Sequence, residues 1–413
     1  MPQMDTALVW FRRDLRVHDH PPLRAALDAH ARVVPVFVLD DRLLDGHFAS
    51  GNRTRFLLEC LRDLREALDG NLVVVRGRPE QELPRLAREY GARAVYCASD
   101  VSPFARRRDR EVEAAGLELR RTPGNFIAGV KKPYVVFTPF WRAWQAVPRR
   151  EVLGAPRKVP VPSGLRVGRI PSLDAGATAT DPLPGGEPAG RARMLAWDHS
   201  TYARTRDRLD RDTSLLSPYL HFGCVSAREL EERTGGAYAR QLAWRDFYAH
   251  VLLHHPANAR HAFKPEPEWD GDDEHFEAWC EGRTGYPVVD AGMRQLKATG
   301  WMHNRARLIT ACFLVKDLHI DWRRGEQHFM RHLLDGDVAS NNGNWQWISS
   351  IGVDPAPLHR RLYNPELQQR RHDPDGEYVR RWVPEGSRIE PIVDHATERA
   401  RTIALFRAVS PTV

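Results

Sequence analysis

The chain has 413 residues, with 61 Lys and Arg against 54 Asp and Glu and a net charge of +7, which is length enough for two self-stabilising domains. Its five cysteines, Cys60, Cys97, Cys224, Cys280 and Cys312, form no CxxC pair and no His/Cys cluster, which argues against any metal site and for a reducing compartment. No stretch approaches the roughly 18 apolar residues of a membrane span, and the N-terminus lacks a basic lead before an apolar core, so a soluble, cytoplasmic protein with no membrane role is expected. The basic excess is almost all arginine; it suits a polyanionic partner, although GC-rich coding or a solvated basic face would give the same excess.

Along the first 130 residues, short β-rich apolar runs alternate with amphipathic stretches. Ala7 to Phe11, Val33 to Leu39, Leu72 to Val75, Ala94 to Ala98 and Leu117 to Arg121 read as strands, and Asn52 to Leu68 and Pro79 to Tyr90 as helices between them. This predicts an α/β domain over 1–130 built on a doubly wound five-stranded parallel sheet. No GxGxxG follows the first strand and no Walker loop is present, so a Rossmann-type site is unsupported. From 131 to 195 Pro, Gly and small residues dominate with little periodicity, the composition of an interdomain linker. From 196 to 413 strand patterns nearly vanish. Ala237 to His255, Pro287 to Thr299, Asn304 to Lys316 and Gly325 to Leu334 carry helical periodicity, and an all-α domain is expected there.

That second domain has no GxSxG elbow and no HExxH. It has instead Trp244, Trp269, Trp279, Trp301, Trp322, Trp345 and Trp347 within about a hundred residues, mixed with His303, Asn304, Asn341, Asn342 and Asn344. Each tryptophan taken singly is more readily a core residue. Together with amides that disfavour helix interiors and need partners when buried, they suit a flat heteroaromatic ligand with donors and acceptors along its edge.

The run WCEGRTGYPVVDAGMRQLKATGWMHNRARLITACFLVKDLHIDW, continued by GEQHFMRHLLDGDVASNNGNWQW, resembles the FAD-binding core of DNA photolyases and cryptochromes. TSLLSPYLHFG (Thr213 to Gly223), QLAWRDFY (Gln241 to Tyr248) and VWFRRDLRVHDHPPL (Val9 to Leu23) resemble the same family, and the domain order is the same. The resemblance, closest to class I cyclobutane pyrimidine dimer photolyases, implies FAD held by Tyr202, Thr213, Ser214, Leu216, Ser217 and Arg245. It also implies a buried Arg307–Asp335 pair beside the flavin, with Asp337 and Asn341 at the ring. An ordinary N-cap at Thr213 and Ser214, or a surface cap at Asn341 and Asn342, is the plainer alternative. Trp345, Trp322 and Trp269 fall at the positions of the family's electron relay. Gln241, Trp244, Asn304, Leu308 and Trp347 fall where the family receives a dimer flipped out of DNA, and Arg361 at a DNA-backbone position beside His359 and Arg360.

The resemblance implies a monomeric, light-driven, DNA-binding lyase with catalytic roles for the three tryptophans, Asn341 and Gln241. Three departures bear on the lesion: Gln241 replaces a glutamate, Leu308 replaces a methionine, and PLHRRLYNP lacks an aromatic pair. A (6-4) photolyase stays open because His303 is at hand, and so does a cryptochrome-type photoreceptor, although little chain succeeds the helical domain. Phe104 and Ala105 in SDVSPFARRRD resemble binders of a deazaflavin antenna, or of a second flavin, rather than of folate. Arg106 to Arg108 read equally well as a solvated helix face.

Overall fold

The computed structural model describes residues 5–409 except 173–175, 212, 354, 356–360 and 387–388. Five parallel strands, β1 (Thr6–Phe11), β2 (Arg32–Leu39), β3 (Val73–Arg76), β4 (Ala92–Ala98) and β5 (Glu118–Thr122), form one sheet in the order β3-β2-β1-β4-β5. They lie within a residue or two of the sequence expectation. The strand order reverses direction between β1 and β4, so the crevice beyond their carboxyl ends is the switch point where such sheets bind ligands.

β1 is buried on both faces, which is why it reads as an unbroken apolar run. Leu8 and Trp10 pack with Val34, Val36, Leu83 and Leu86 on one side. On the other, Ala7, Val9 and Phe11 join a core that continues through Phe56 and Leu61 into Tyr219, Leu220 and Phe222 of the helical half. Phe56 stacks on Phe222 with ring centroids 5.1 Å apart. One apolar core therefore joins the two halves. The seam is tight at Gly223, whose φ of +69° and 2.1 Å approach of a would-be Cβ to the Arg13 carbonyl admit no side chain. There Leu15 N–H bonds the Phe222 carbonyl at 3.1 Å and Arg16 Nη1 the Gly223 carbonyl at 2.7 Å.

After β5 the described residues form helices. The sequence-based expectation of a plain linker over 131–195 missed Phe137–Ala146, whose Phe137, Phe140 and Trp144 are buried and pack against Phe247 and Tyr248 of the helix Gly236–His254. Its aromatic content and Pro139 hide the helical period. Asp246 of the helix Gly236–His254 accepts the Trp144 indole N–H and the N–H groups of Ile127 and Ala128 just upstream. Asn304–Lys316, Trp322–His332 and Val338–Ile348 are the central helices, capped by His303, Asp321 and Asp337. Among the described residues no helix is long and apolar enough to cross a membrane.

Candidate functional site

The central helices and the loop before Val338–Ile348 carry Arg307, Asp335, Asp337 and Asn341, four of the residues expected at a flavin. Arg307 Nη2 pairs with Asp335 Oδ2 at 2.8 Å, and Asp335 Oδ1 is buried without a partner. Asp337 caps the helix Val338–Ile348 through Ser340 N–H at 2.8 Å and pairs with Arg13 Nη2 at 2.7 Å. Burial would raise its pKa, but Arg13 and His221 outweigh burial and hold it well below the usual carboxylate range. Asn341 and Asn342 are 9% and 1% exposed, so neither is a surface cap. Asn341 Nδ2 donates to the Glu326 carbonyl at 3.1 Å, and burial pushes the Glu326 carboxyl up to about 7.

The loop before Ser217–Phe222 turns through Leu215 at φ +50°. Ser214 Oγ shares a hydrogen bond with Tyr238 at 2.9 Å and accepts Leu216 N–H at 3.3 Å, so it is not the N-cap, which falls on Leu216 with no side-chain bond. Ser217 accepts the Trp301 indole N–H at 3.0 Å. Leu216 is fully buried, and Tyr202 packs edge-on against Tyr238, 4.9 Å away. Thr213, Leu215, Trp301 and His303 line a cavity of about 430 Å³. Arg245 donates from Nη1 to the Asn125 carbonyl at 2.6 Å, while its Nη2 is buried without a partner.

Of the three positions expected to form a relay, two are buried and one reaches the surface. Trp345 is 2% exposed, Trp322 fully buried, and Trp269 half-buried. Trp345 lies against the Trp322 helix at Gly325, where a Cβ would stand 2.2 Å from the ring. Trp279, by contrast, is a core residue with its indole N–H on the Thr310 carbonyl at 3.0 Å.

Of the residues expected to receive a lesion, Asn304 is exposed and Leu308, one turn on, is half-buried, as are Gln241, Trp244 and Trp347. Trp244 stacks on Phe137 with centroids 3.6 Å apart and planes 4° from parallel. His303 is 3% exposed, with Nε2 buried and unpartnered. Its Nδ1 accepts Arg305 N–H at 3.1 Å, and burial pushes its pKa down to about 4, so it is neutral.

Known proteins share both this sequence pattern and this shape. A family model described as the FAD binding domain of DNA photolyase matches residues 238–404, and one described as DNA photolyase matches 7–163. A deoxyribodipyrimidine photo-lyase of Streptomyces griseus is 42% identical over 95% of this chain and 92% of its own length. A class III photolyase structure from Agrobacterium tumefaciens superposes with a TM-score of 0.88 at 30% identity, covering 100% of this chain and 99% of its own. An archaeal photolyase from Sulfolobus tokodaii, solved with two FAD molecules, gives 0.90 at 31% identity over 98% and 100%. The chain belongs to the DNA photolyase and cryptochrome family.

One family-derived expectation and one plain alternative to the family reading are corrected by the structure. Arg361, expected to face a DNA backbone, is 1% exposed. Its guanidinium turns inward, 4.5 Å from the Trp347 ring centroid, with Nη1 on the Trp347 carbonyl at 2.9 Å; the apolar bed beneath Trp347 offers this cation a ring face and a carbonyl. His359 and Arg360 lie outside the described residues. In the Arg106 to Arg108 run only the first two are solvated. Arg108 is 7% exposed, its guanidinium 4.7 Å from the Trp10 ring and 5.6 Å from Phe104, at the carboxyl end of β1. Sequence reading also missed Arg13, Phe137, Glu266 and Glu326. Arg13 stands inside a family motif, VWFRRDLRVHDHPPL, but its partner Asp337 is 324 residues away.

Proposed function

We propose that this protein is a light-driven DNA repair enzyme, a deoxyribodipyrimidine photolyase that splits cyclobutane pyrimidine dimers. The observation that carries this reading is the Arg307–Asp335 pair, whose Asp335 Oδ1 is buried without a partner, with Arg307 on the helix that also carries the exposed Asn304 and the half-buried Leu308. It occurs in a chain collinear with enzymes of that name.

The residues fit FAD. Arg245 Nη2 and Asp335 Oδ1 are buried groups that lack partners, and such groups are costly unless a ligand satisfies them. In this reading Tyr202, Thr213, Ser214, Leu216 and Ser217 hold the diphosphate side, and Arg245, Arg307, Asp335, Asp337 and Asn341 the ring. Bound reduced FAD, excited by light, supplies one electron and takes it back, so the reaction needs no net oxidant. Asn341 presents an amide rather than a carboxyl at the ring, and so offers no acidic proton there. Trp345, Trp322 and Trp269 carry electrons inward from the surface. Trp244 and Trp347 give a flipped dimer aromatic walls and Asn304 offers it an amide. Arg361 braces Trp347 from behind.

Gln241 hydrogen-bonds a thymine edge without sharing a proton, which lowers the stabilisation of developing charge relative to a glutamate. His303, buried and neutral with Nε2 unpartnered, leaves a (6-4) specificity as the second outcome of the repair test. We place the chain with class I enzymes on its motifs; the class III photolyase shares the fold, so shape does not carry that assignment. For the antenna we infer a deazaflavin-type pigment or a second flavin in the crevice beyond β1 and β4, near Trp10, Phe104 and Arg108. The protein acts as a monomer on DNA held by phosphate contacts, so affinity should fall with salt.

Illumination of the reduced, FAD-loaded protein with oligonucleotides carrying one defined dimer tests the proposal. Conversion of cyclobutane dimers back to separate pyrimidines supports it. FAD binding and photoreduction with neither lesion repaired would replace it with a cryptochrome-type photoreceptor.

A further inference from the structure

Glu266 lies between the two outer tryptophans of the relay. Its Oε2 accepts the indole N–H of Trp269 at 3.1 Å and that of Trp322 at 3.2 Å. The same carboxylate takes Arg323 Nη2 on Oε1 at 2.6 Å and Nη1 on Oε2 at 3.2 Å. Arg323 also stands over the Trp322 ring, 4.8 Å from its centroid. Glu266 precedes Trp269 by three residues but Trp322 by 56, so the bridge exists only in the folded chain. Burial would raise the Glu266 pKa, but the bonds from Arg323 and the two indoles outweigh it and keep the group below the usual carboxylate range, hence charged.

We propose that Glu266 is a positioning residue of the electron relay. As shared counter-ion it fixes both indoles and lowers the cost of a positive charge on either, while Arg323 over Trp322 drives that charge outward to Trp269. The inference rests on the relay reading under the proposed function. An indole that loses an electron becomes a cation, and an anion at hydrogen-bond distance stabilises it. The carboxylate oxygen is nearly equidistant from the two N–H groups, so by itself it favours neither tryptophan. The guanidinium breaks the tie. Its attraction to the neutral Trp322 ring becomes repulsion once that ring is oxidised. One electron then passes from Trp269 to oxidised Trp322, with no bond made or broken. The reverse step is uphill, so charge recombination slows.

The test is flash photolysis of the FAD-bound protein, tracking the transient absorbance of oxidised tryptophan in wild type, Glu266→Gln, Arg323→Met and Trp322→Phe. Glu266→Gln keeps the shape and one acceptor but removes the charge, and should lower the yield of oxidised Trp269 on the order of tenfold. Arg323→Met should leave formation intact yet shorten the lifetime of the separated state several-fold. FAD content and melting temperature are recorded for each variant, and if Glu266→Gln loses FAD, Arg323→Met carries the test. A Trp322→Phe protein that cannot photoreduce, beside Glu266→Gln and Arg323→Met that match wild-type kinetics, would overturn the inference and leave the relay standing. A change in melting temperature alone has the same meaning. A Trp322→Phe protein that photoreduces normally would overturn both.

Discussion

The proposed flavin-facing interior and the proposed lesion-facing rim follow opposite rules. In the interior Asp335, Asp337, Asn341 and Glu326 are ionic or amide groups, buried or nearly so, and Asp335, Asp337 and Asn341 are each held by a partner from another segment: Arg307, Arg13 or the backbone of a neighbouring helix. At the rim Asn304, Leu308, Gln241 and Trp244 are half-buried or exposed, and stacking on Phe137 fixes Trp244. A buried charge that loses its partner is costly, so the interior tolerates little. A half-exposed side chain can change at small cost to stability, so departures from the family pattern collect at the rim.

If that contrast is right, the largest effect belongs to Asp335→Ala, which leaves Arg307 facing a partly buried void. We expect a loss of about 3 kcal/mol, seen as a lower melting temperature, together with loss of FAD on gel filtration. A variant that keeps both its stability and its flavin would erase the distinction between the regions. Trp322→Phe comes next. It should slow flavin photoreduction on the order of tenfold or more, while repair by chemically reduced protein persists; equal loss of both would count against the relay.

Glu326 gives a pH signature of the interior. Burial raises its pKa from 4.5 to about 7, so the folded state binds a proton that the unfolded chain releases. Its contribution to stability is full below 4.5 and is lost as pH rises toward 7. Glu326→Gln should therefore flatten the fall in melting temperature of the flavin-free protein over that range, and an unchanged slope would place the titration elsewhere. Asp337 has the opposite sign. Its lowered pKa makes a contribution that is present above the ordinary carboxylate range and lost in acid. The smallest effect is at the rim. Gln241→Glu should raise the yield of dimer repair per absorbed photon by about two- to fivefold with a shift of under about 0.5 kcal/mol in stability. A large stability change there would show the rim to be as constrained as the interior.

The strands and the helices Asn304–Lys316 and Trp322–His332 were legible in the sequence because their signals are local, period-two and helical runs, whereas the proposed flavin set rests on family motifs. Phe137–Ala146 escaped because its aromatic residues find their period only against the helix Gly236–His254. Proximity in space then decided which groups act together. Arg361 turned inward because an aromatic face and a carbonyl awaited it under Trp347, and Arg108 left the solvated face because Trp10 and Phe104 flank it. Asp337 acquired Arg13 from across the chain, and Glu266 acquired both indoles. Burial and charge pairing depend on neighbours that only folding supplies, and no spacing along the chain encodes them directly.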